Sequence, residues 1–149
     1  MTKKINLAMT ALAALAIVSV LYATHAPVSA QAGKSSVDGV FTDAQAKRGE
    51  KAYSENCSFC HGDDLRGSDV IPALTGDVFI KSWTTKSVGD LFEKIQTTMP
   101  ATAPGSLMPA QSADILAHML SKASYPAGSA ELSTTVADLK QIRIVPPKR

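Results

Sequence analysis

The chain has 149 residues, a formal net charge of +2 and only 5% aromatic residues. Length alone predicts one domain beyond any targeting segment. The near balance of charge, with no Lys/Arg cluster outside the N-terminus, argues against a nucleic-acid binder.

The first element is a targeting pattern. Lys3 and Lys4 precede an apolar run from about Ile5 to Ala23, and Val28 and Ala30 are small residues at the third and first positions before a cut after Ala30. Residues 1–30 are therefore expected to be a signal peptide, and the mature protein to be periplasmic. The alternative is a retained membrane anchor. As a helix, Leu7 to Leu21 would reach about 22 Å, short of the roughly 30 Å hydrocarbon core, although the longer run from Ile5 to Ala23 nearly closes that gap. Cleavage removes Lys3 and Lys4 and leaves 13 basic against 13 acidic residues, so the basic character belongs to the targeting segment.

Residues 31–39 are small and polar and predict a flexible leader. The main domain is expected over 40–145, and 146–149 as a tail. Thr42-Asp43-Ala44-Gln45 has the spacing of a capping box and opens a helix expected to reach about Glu55. Ala46, Gly49 and Tyr53 fall on one face. A glycine inside a helix costs about 1 kcal/mol relative to alanine, so Gly49 marks either simple tolerance or the close approach of another helix.

Next comes Asn56-Cys57-Ser58-Phe59-Cys60-His61-Gly62, which holds both cysteines of the chain. A structural zinc site needs four ligands, and no second cysteine pair exists. A thioredoxin-like redox pair belongs beside a βαβ pattern, and no alternating strand pattern precedes Cys57. A disulfide closing so short a loop stabilises little. Cys-x-x-Cys-His is the attachment sequence of c-type haem, in which each thiol forms a thioether with a vinyl group and the histidine takes an axial position on the iron. This reading uses Cys57, Cys60 and His61 together. It also supplies a prosthetic group to fill a core poor in aromatics.

A short helical turn is expected over Asp77–Trp83. Ser87 and Asp90 can cap a helix whose apolar side carries Val88, Leu91, Phe92 and Ile95. A further helix is expected over Gln111–Lys122 with Ile115, Leu116, Met119 and Leu120 inward, and a last short one over Ala137–Ile144. No strand pair is evident. The fold class is all-α, a set of small helices around a covalently held cofactor.

An electron-carrying haem usually has both axial positions filled, methionine being the common partner of histidine. Met119 sits at core spacing in its helix. Met99, before Pro100, and Met108, before Pro109, both lie in loop sequence, and spacing does not separate them. His118 is a further candidate, or else a packing residue.

From about Val40 to Ile144 the chain resembles class I c-type cytochromes, in particular the electron acceptors of quinoprotein (PQQ-dependent) dehydrogenases. The stretches that carry the likeness are Thr42–Gly49, Cys57–Gly62, Leu65-Arg66-Gly67, Pro72-Ala73-Leu74-Thr75-Gly76, Thr98-Met99-Pro100 with Gly105-Ser106-Leu107, and Ala113–Ala117. The resemblance implies Met99 as the sixth ligand. It implies that the Pro72 carbonyl accepts a hydrogen bond from the proximal histidine, and that Leu74, Phe79 and Trp83 line the haem crevice. The family often has an aromatic residue where His118 stands, which leaves the packing at Gly49 and Tyr53 open. The expected function is electron transport without enzymatic activity. The expected partners are redox proteins, a quinoprotein dehydrogenase as donor and a terminal oxidase or another cytochrome as acceptor, with membrane contact only if the N-terminal segment is retained. The alternative is a five-coordinate haem protein that binds gas or peroxide.

Overall fold

The computed structural model describes residues 33–148. The expected signal peptide or anchor over 1–30 lies outside them. Among the described residues six helices follow one another: α1 (Asp43–Asn56), α2 (Ser58–His61), α3 (Gly76–Trp83), α4 (Val88–Thr98), α5 (Pro109–Lys122) and α6 (Val136–Leu139). Among the described residues there is no strand, only two isolated bridges, and no helix long and apolar enough to cross a membrane.

The crossing of α1 and α5 organises the core. Thr42 caps α1 by accepting a hydrogen bond from the Gln45 N–H at 3.1 Å. The expected reciprocal half of the capping box is absent. Gln45 is buried, and its carboxamide instead accepts from the Leu132 N–H at 2.8 Å and donates to the Leu132 carbonyl at 3.3 Å. Pro109 opens α5 two residues earlier than the sequence suggests, in the first-turn position where its missing N–H is no loss. Ile115, Leu116, Met119 and Leu120 then face inward, all at most 1% exposed. Burying each such side chain stabilises the fold by about 1.5–3 kcal/mol.

Gly49 explains how closely the two helices meet. A β-carbon there would overlap the main-chain carbonyl of Asp114 and come within 3.0 Å of the His118 β-carbon. Across the same crossing His118 packs on Tyr53, with ring centroids 5.4 Å apart. The imidazole thus occupies the space of the aromatic residue common in the family. Arg48 bridges the crossing on its solvent side. Its guanidinium donates to both oxygens of Asp114, at 3.1 and 3.0 Å, and to both of Glu131, at 2.9 and 2.8 Å. These hydrogen bonds hold the Glu131 carboxyl below its ordinary range.

The ends of the domain differ from expectation. The segment 35–38 is not a free leader. The Ser36 N–H donates to the Arg143 carbonyl at 2.9 Å, and the fully buried Ser36 hydroxyl accepts from the Val145 N–H at 3.0 Å. Val145 is tied down again by the Tyr125 hydroxyl, which donates to its carbonyl at 2.9 Å. The last helix stops at Leu139 rather than Ile144. The Arg143 and Ile144 N–H groups donate to the Lys34 and Lys86 carbonyls, each at 2.9 Å, so the chain there is extended between two other segments. Conversely, the turn expected over Asp77–Trp83 is the eight-residue helix α3.

α4 is capped at both levels. The Ser87 hydroxyl accepts from the Asp90 N–H at 3.0 Å, and the Asp90 carboxylate accepts from the Ser87 N–H at 2.8 Å. Its buried Val88, Leu91, Phe92 and Ile95 face the core.

Candidate haem-binding site

Cys57, Cys60 and His61 share a single helical turn. α1 ends at Asn56, the Cys57 N–H still donates to the Tyr53 carbonyl at 2.8 Å, and α2 begins at once. The Cys60 and His61 N–H groups both donate back to the Cys57 carbonyl, at 3.1 and 3.0 Å. Three residues apart, the two thiols lie on one side of this turn, and both are free. Burial and the neighbouring Cys60 push the Cys57 thiol up to about 11. A half-buried, protonated thiol is the opposite of the low-pKa cysteine that thiol exchange needs.

His61 is buried and held from the side. Its Nδ1 lies 2.9 Å from the Pro72 carbonyl oxygen. A carbonyl only accepts, so Nδ1 carries the proton and the lone pair of Nε2 is the free donor. Such a bond orients an imidazole and raises its basicity toward a metal. The loop that brings Pro72 into place is tightly folded. The Gly67 N–H donates to the His61 carbonyl at 2.8 Å with φ of 65°, and a β-carbon on Gly67 would overlap the Ile71 carbonyl. Leu65, fully buried, adopts φ of 62°, a conformation costly for a residue with a side chain. Its carbonyl accepts from the Leu74 N–H at 2.8 Å.

One member of this set escaped the sequence reading. The Tyr53 hydroxyl donates to the Gly62 carbonyl at 2.7 Å, tying α1 to the residue after His61. The residue was visible as part of an apolar face, but nothing in the sequence signalled its polar end. Nearby, Leu74 is half-buried against the core and Phe79 is buried. The rings of Phe79 and Trp83 lie 6.3 Å apart, and the Lys86 ammonium sits 4.4 Å from the Trp83 ring centre.

Met99 directly follows α4, half-buried, with its N–H on the Ile95 carbonyl at 3.1 Å. Met108 stands at the start of α5 and is 66% exposed. His118 is 4% exposed and belongs to the helix crossing. The structure therefore gathers Cys57, Cys60, His61 and Pro72 into one unit, with Met99 on a separate segment.

The donor chemistry fits haem c. Two free thiols and an imidazole with a free Nε2 occupy one turn. Phe59, between the thiols, is fully exposed. Residues 44–119 match the family model described as cytochrome c oxidase, cbb3-type, subunit III. The chain belongs to this cytochrome c family. It is a class I c-type cytochrome with a small all-α fold and covalently bound haem c, and its Cys57, Cys60 and His61 have the attachment spacing.

Over 88 residues the chain is 31% identical to the cbb3-type cytochrome c oxidase subunit CcoP of Rubrivivax gelatinosus, an alignment covering 58% of this chain and 27% of that protein. The chain thus spans about a quarter of the length of this curated relative. A chain in the crystal structure of the sulfane dehydrogenase SoxCD from Paracoccus pantotrophus is similar at 18% identity and a TM-score of 0.47, covering 71% of this chain and 60% of that one.

Proposed function

We propose that this cytochrome is a periplasmic carrier of single electrons in a respiratory chain, with His61 and Met99 as its axial ligands, and not an enzyme. Haem c, when bound, supplies the one-electron ferric/ferrous couple. The rest is the work of the chain. Pro72 holds the His61 ring in one orientation and one tautomer through Nδ1, which leaves the Nε2 lone pair available to ligate the iron. Tyr53 anchors the end of the same turn. By the family resemblance Leu74, Phe79 and Trp83 would line the haem crevice, an apolar setting that disfavours the more highly charged oxidised form.

The observation that carries the reading is the His61–Pro72 hydrogen bond within an intact Cys-x-x-Cys-His turn. Met99 is favoured over Met108 because it is half-buried beside the core, whereas Met108 lies in solvent. His118 is taken up by packing and is poorly placed to serve as a distal acid–base group.

For the partners, the mature chain is electrically neutral once Lys3 and Lys4 are removed. Long-range steering is then weak, and recognition rests on short-range fit. The likeness to an oxidase subunit supports a terminal oxidase, or a cytochrome feeding it, as acceptor. A quinoprotein dehydrogenase is the donor proposed from the sequence resemblance.

The test is the oxidised absorption spectrum of the haem-loaded protein, including the weak near-infrared sulfur-to-iron band. The band is expected in the wild type and in Met108→Ala, and lost in Met99→Ala. A high-spin wild type that binds carbon monoxide readily would replace the carrier reading with that of a ligand-binding haem protein.

A further inference from the structure

Among the described residues, two buried side-chain atoms have no hydrogen-bond partner: Gln96 Oε1 and Ser112 Oγ. Gln96 is the informative one. It lies in the last turn of α4, three residues before Met99, where the helix ends. Its Nε2 donates to the Leu107 carbonyl at 2.6 Å, across eleven residues of sequence. Turning the amide over would not help, because a carbonyl accepts only and the nitrogen must face it. The orphaned oxygen is therefore a consequence of what the nitrogen holds.

What it holds is the loop that begins at Met99. Between α4 and α5 this loop has two backbone turns, Ala103 N–H to Pro100 O at 2.9 Å and Ser106 N–H to Ala103 O at 3.2 Å. Residues 101–106 are exposed, so water competes for those bonds. Leu107 is buried at the far end, 4% exposed, and α5 starts two residues later. The Gln96 amide joins the helix at one end of the loop to the backbone at the other. An apolar residue at 96 would avoid burying an unpartnered oxygen but could not make this tie.

We infer that Gln96 is a positioning residue for Met99: its carboxamide closes the loop that carries the thioether and so keeps that side chain on the iron. This rests on the reading of Met99 as the axial donor. The ligand-off state is one in which the loop opens. Breaking a hydrogen bond present only in the closed state raises the open population, and an external ligand that binds only the open state then binds more tightly by the same factor.

The experiment is an imidazole titration of the ferric, haem-loaded protein, read optically, for wild type, Gln96→Leu, Gln96→Glu and Met99→Ala. Gln96→Leu keeps similar bulk and loses the donor, and is expected to bind imidazole about fivefold more tightly with a weakened near-infrared band. Gln96→Glu is expected to behave alike when its carboxyl is ionised, and to return toward wild type, compared at the same pH, as that carboxyl takes up the proton it can donate. If Gln96→Leu does not fold, the glutamate variant carries the same test. A lower melting temperature with unchanged imidazole affinity and an unchanged band would make Gln96 merely structural and overturn the inference. If the wild type lacks a band that Met99→Ala removes, the axial reading itself fails and the inference falls with it.

Discussion

Gly49 of α1 rests against the main-chain carbonyl of Asp114 on α5, with no room between them for a β-carbon. The obstacle is backbone, so no rotamer change relieves it. Gly49→Ala would gain about 1 kcal/mol of helix preference, but it forces α1 and α5 apart, and overpacking of this kind costs about 1–3 kcal/mol. The apolar contacts of Leu116 and Leu120 loosen as well. The expected outcome is a net loss of about 1–2 kcal/mol by denaturant unfolding of the haem-loaded protein. A variant as stable as wild type would mean that α1 and α5 can shift freely.

His118 gives the same crossing a pH dependence. Burial holds its pKa below the ordinary 6.5, and nearby Lys122 adds to this, while Glu50 and the Ala46 backbone oppose it. The folded protein therefore binds fewer protons than the unfolded chain between the depressed folded value and 6.5. Stability rises with pH through that window and is lost as pH falls below 6.5 toward the folded value. In His118→Phe, which keeps a ring beside Tyr53, the slope contributed by this residue should vanish. Denaturant midpoints of both proteins between pH 7.5 and 5 are the measurement. Parallel curves would show that His118 is not held neutral.

Gln45 was legible as half of a capping box but not in the role it plays. Its carboxamide satisfies both the N–H and the carbonyl of Leu132, 87 residues away. Gln45→Leu fills the space yet strands two buried backbone groups, each costing about 1–3 kcal/mol. A loss of roughly 2–4 kcal/mol is expected on that scale, whereas Thr42→Ala, a lost N-cap, should cost about 1 kcal/mol. The comparison of the two variants by thermal melting decides it. Equal, small losses would place Gln45 back in the cap.

These outcomes divide along a physical line. Thr42, Ser87 with Asp90, and the apolar faces of α1, α4 and α5 were readable because their causes lie within one or two helical turns. The Cys-x-x-Cys-His turn was readable for the same reason: its chemistry is local. What was hidden depends on partners far along the chain. Ser36 meets Val145 across 109 residues, and that pairing turns an expected free leader into part of the domain. Arg143 fell within the expected last helix, but its N–H is taken by Lys34 and its carbonyl by Ser36. His118 stood out as a departure from the family pattern, and only its distance to Tyr53 shows an imidazole in the place of an aromatic ring.

Met99 and Met108 are both thioethers before a proline, and the structure separates them by burial. Methionine ligation raises the potential of a haem relative to ligation by water or by nitrogen. Met99→Ala should therefore lower the midpoint potential strongly, on the order of 100 mV or more given the wide range over which axial ligands set haem potentials. Met108, 66% exposed, should leave it nearly unchanged when replaced by alanine. Equilibrium redox titration of the three proteins, with the haem content of each checked first, gives the answer directly. A fall in potential confined to Met108→Ala would move the axial bond to the start of α5, where an exposed side chain would have to fold inward over the haem.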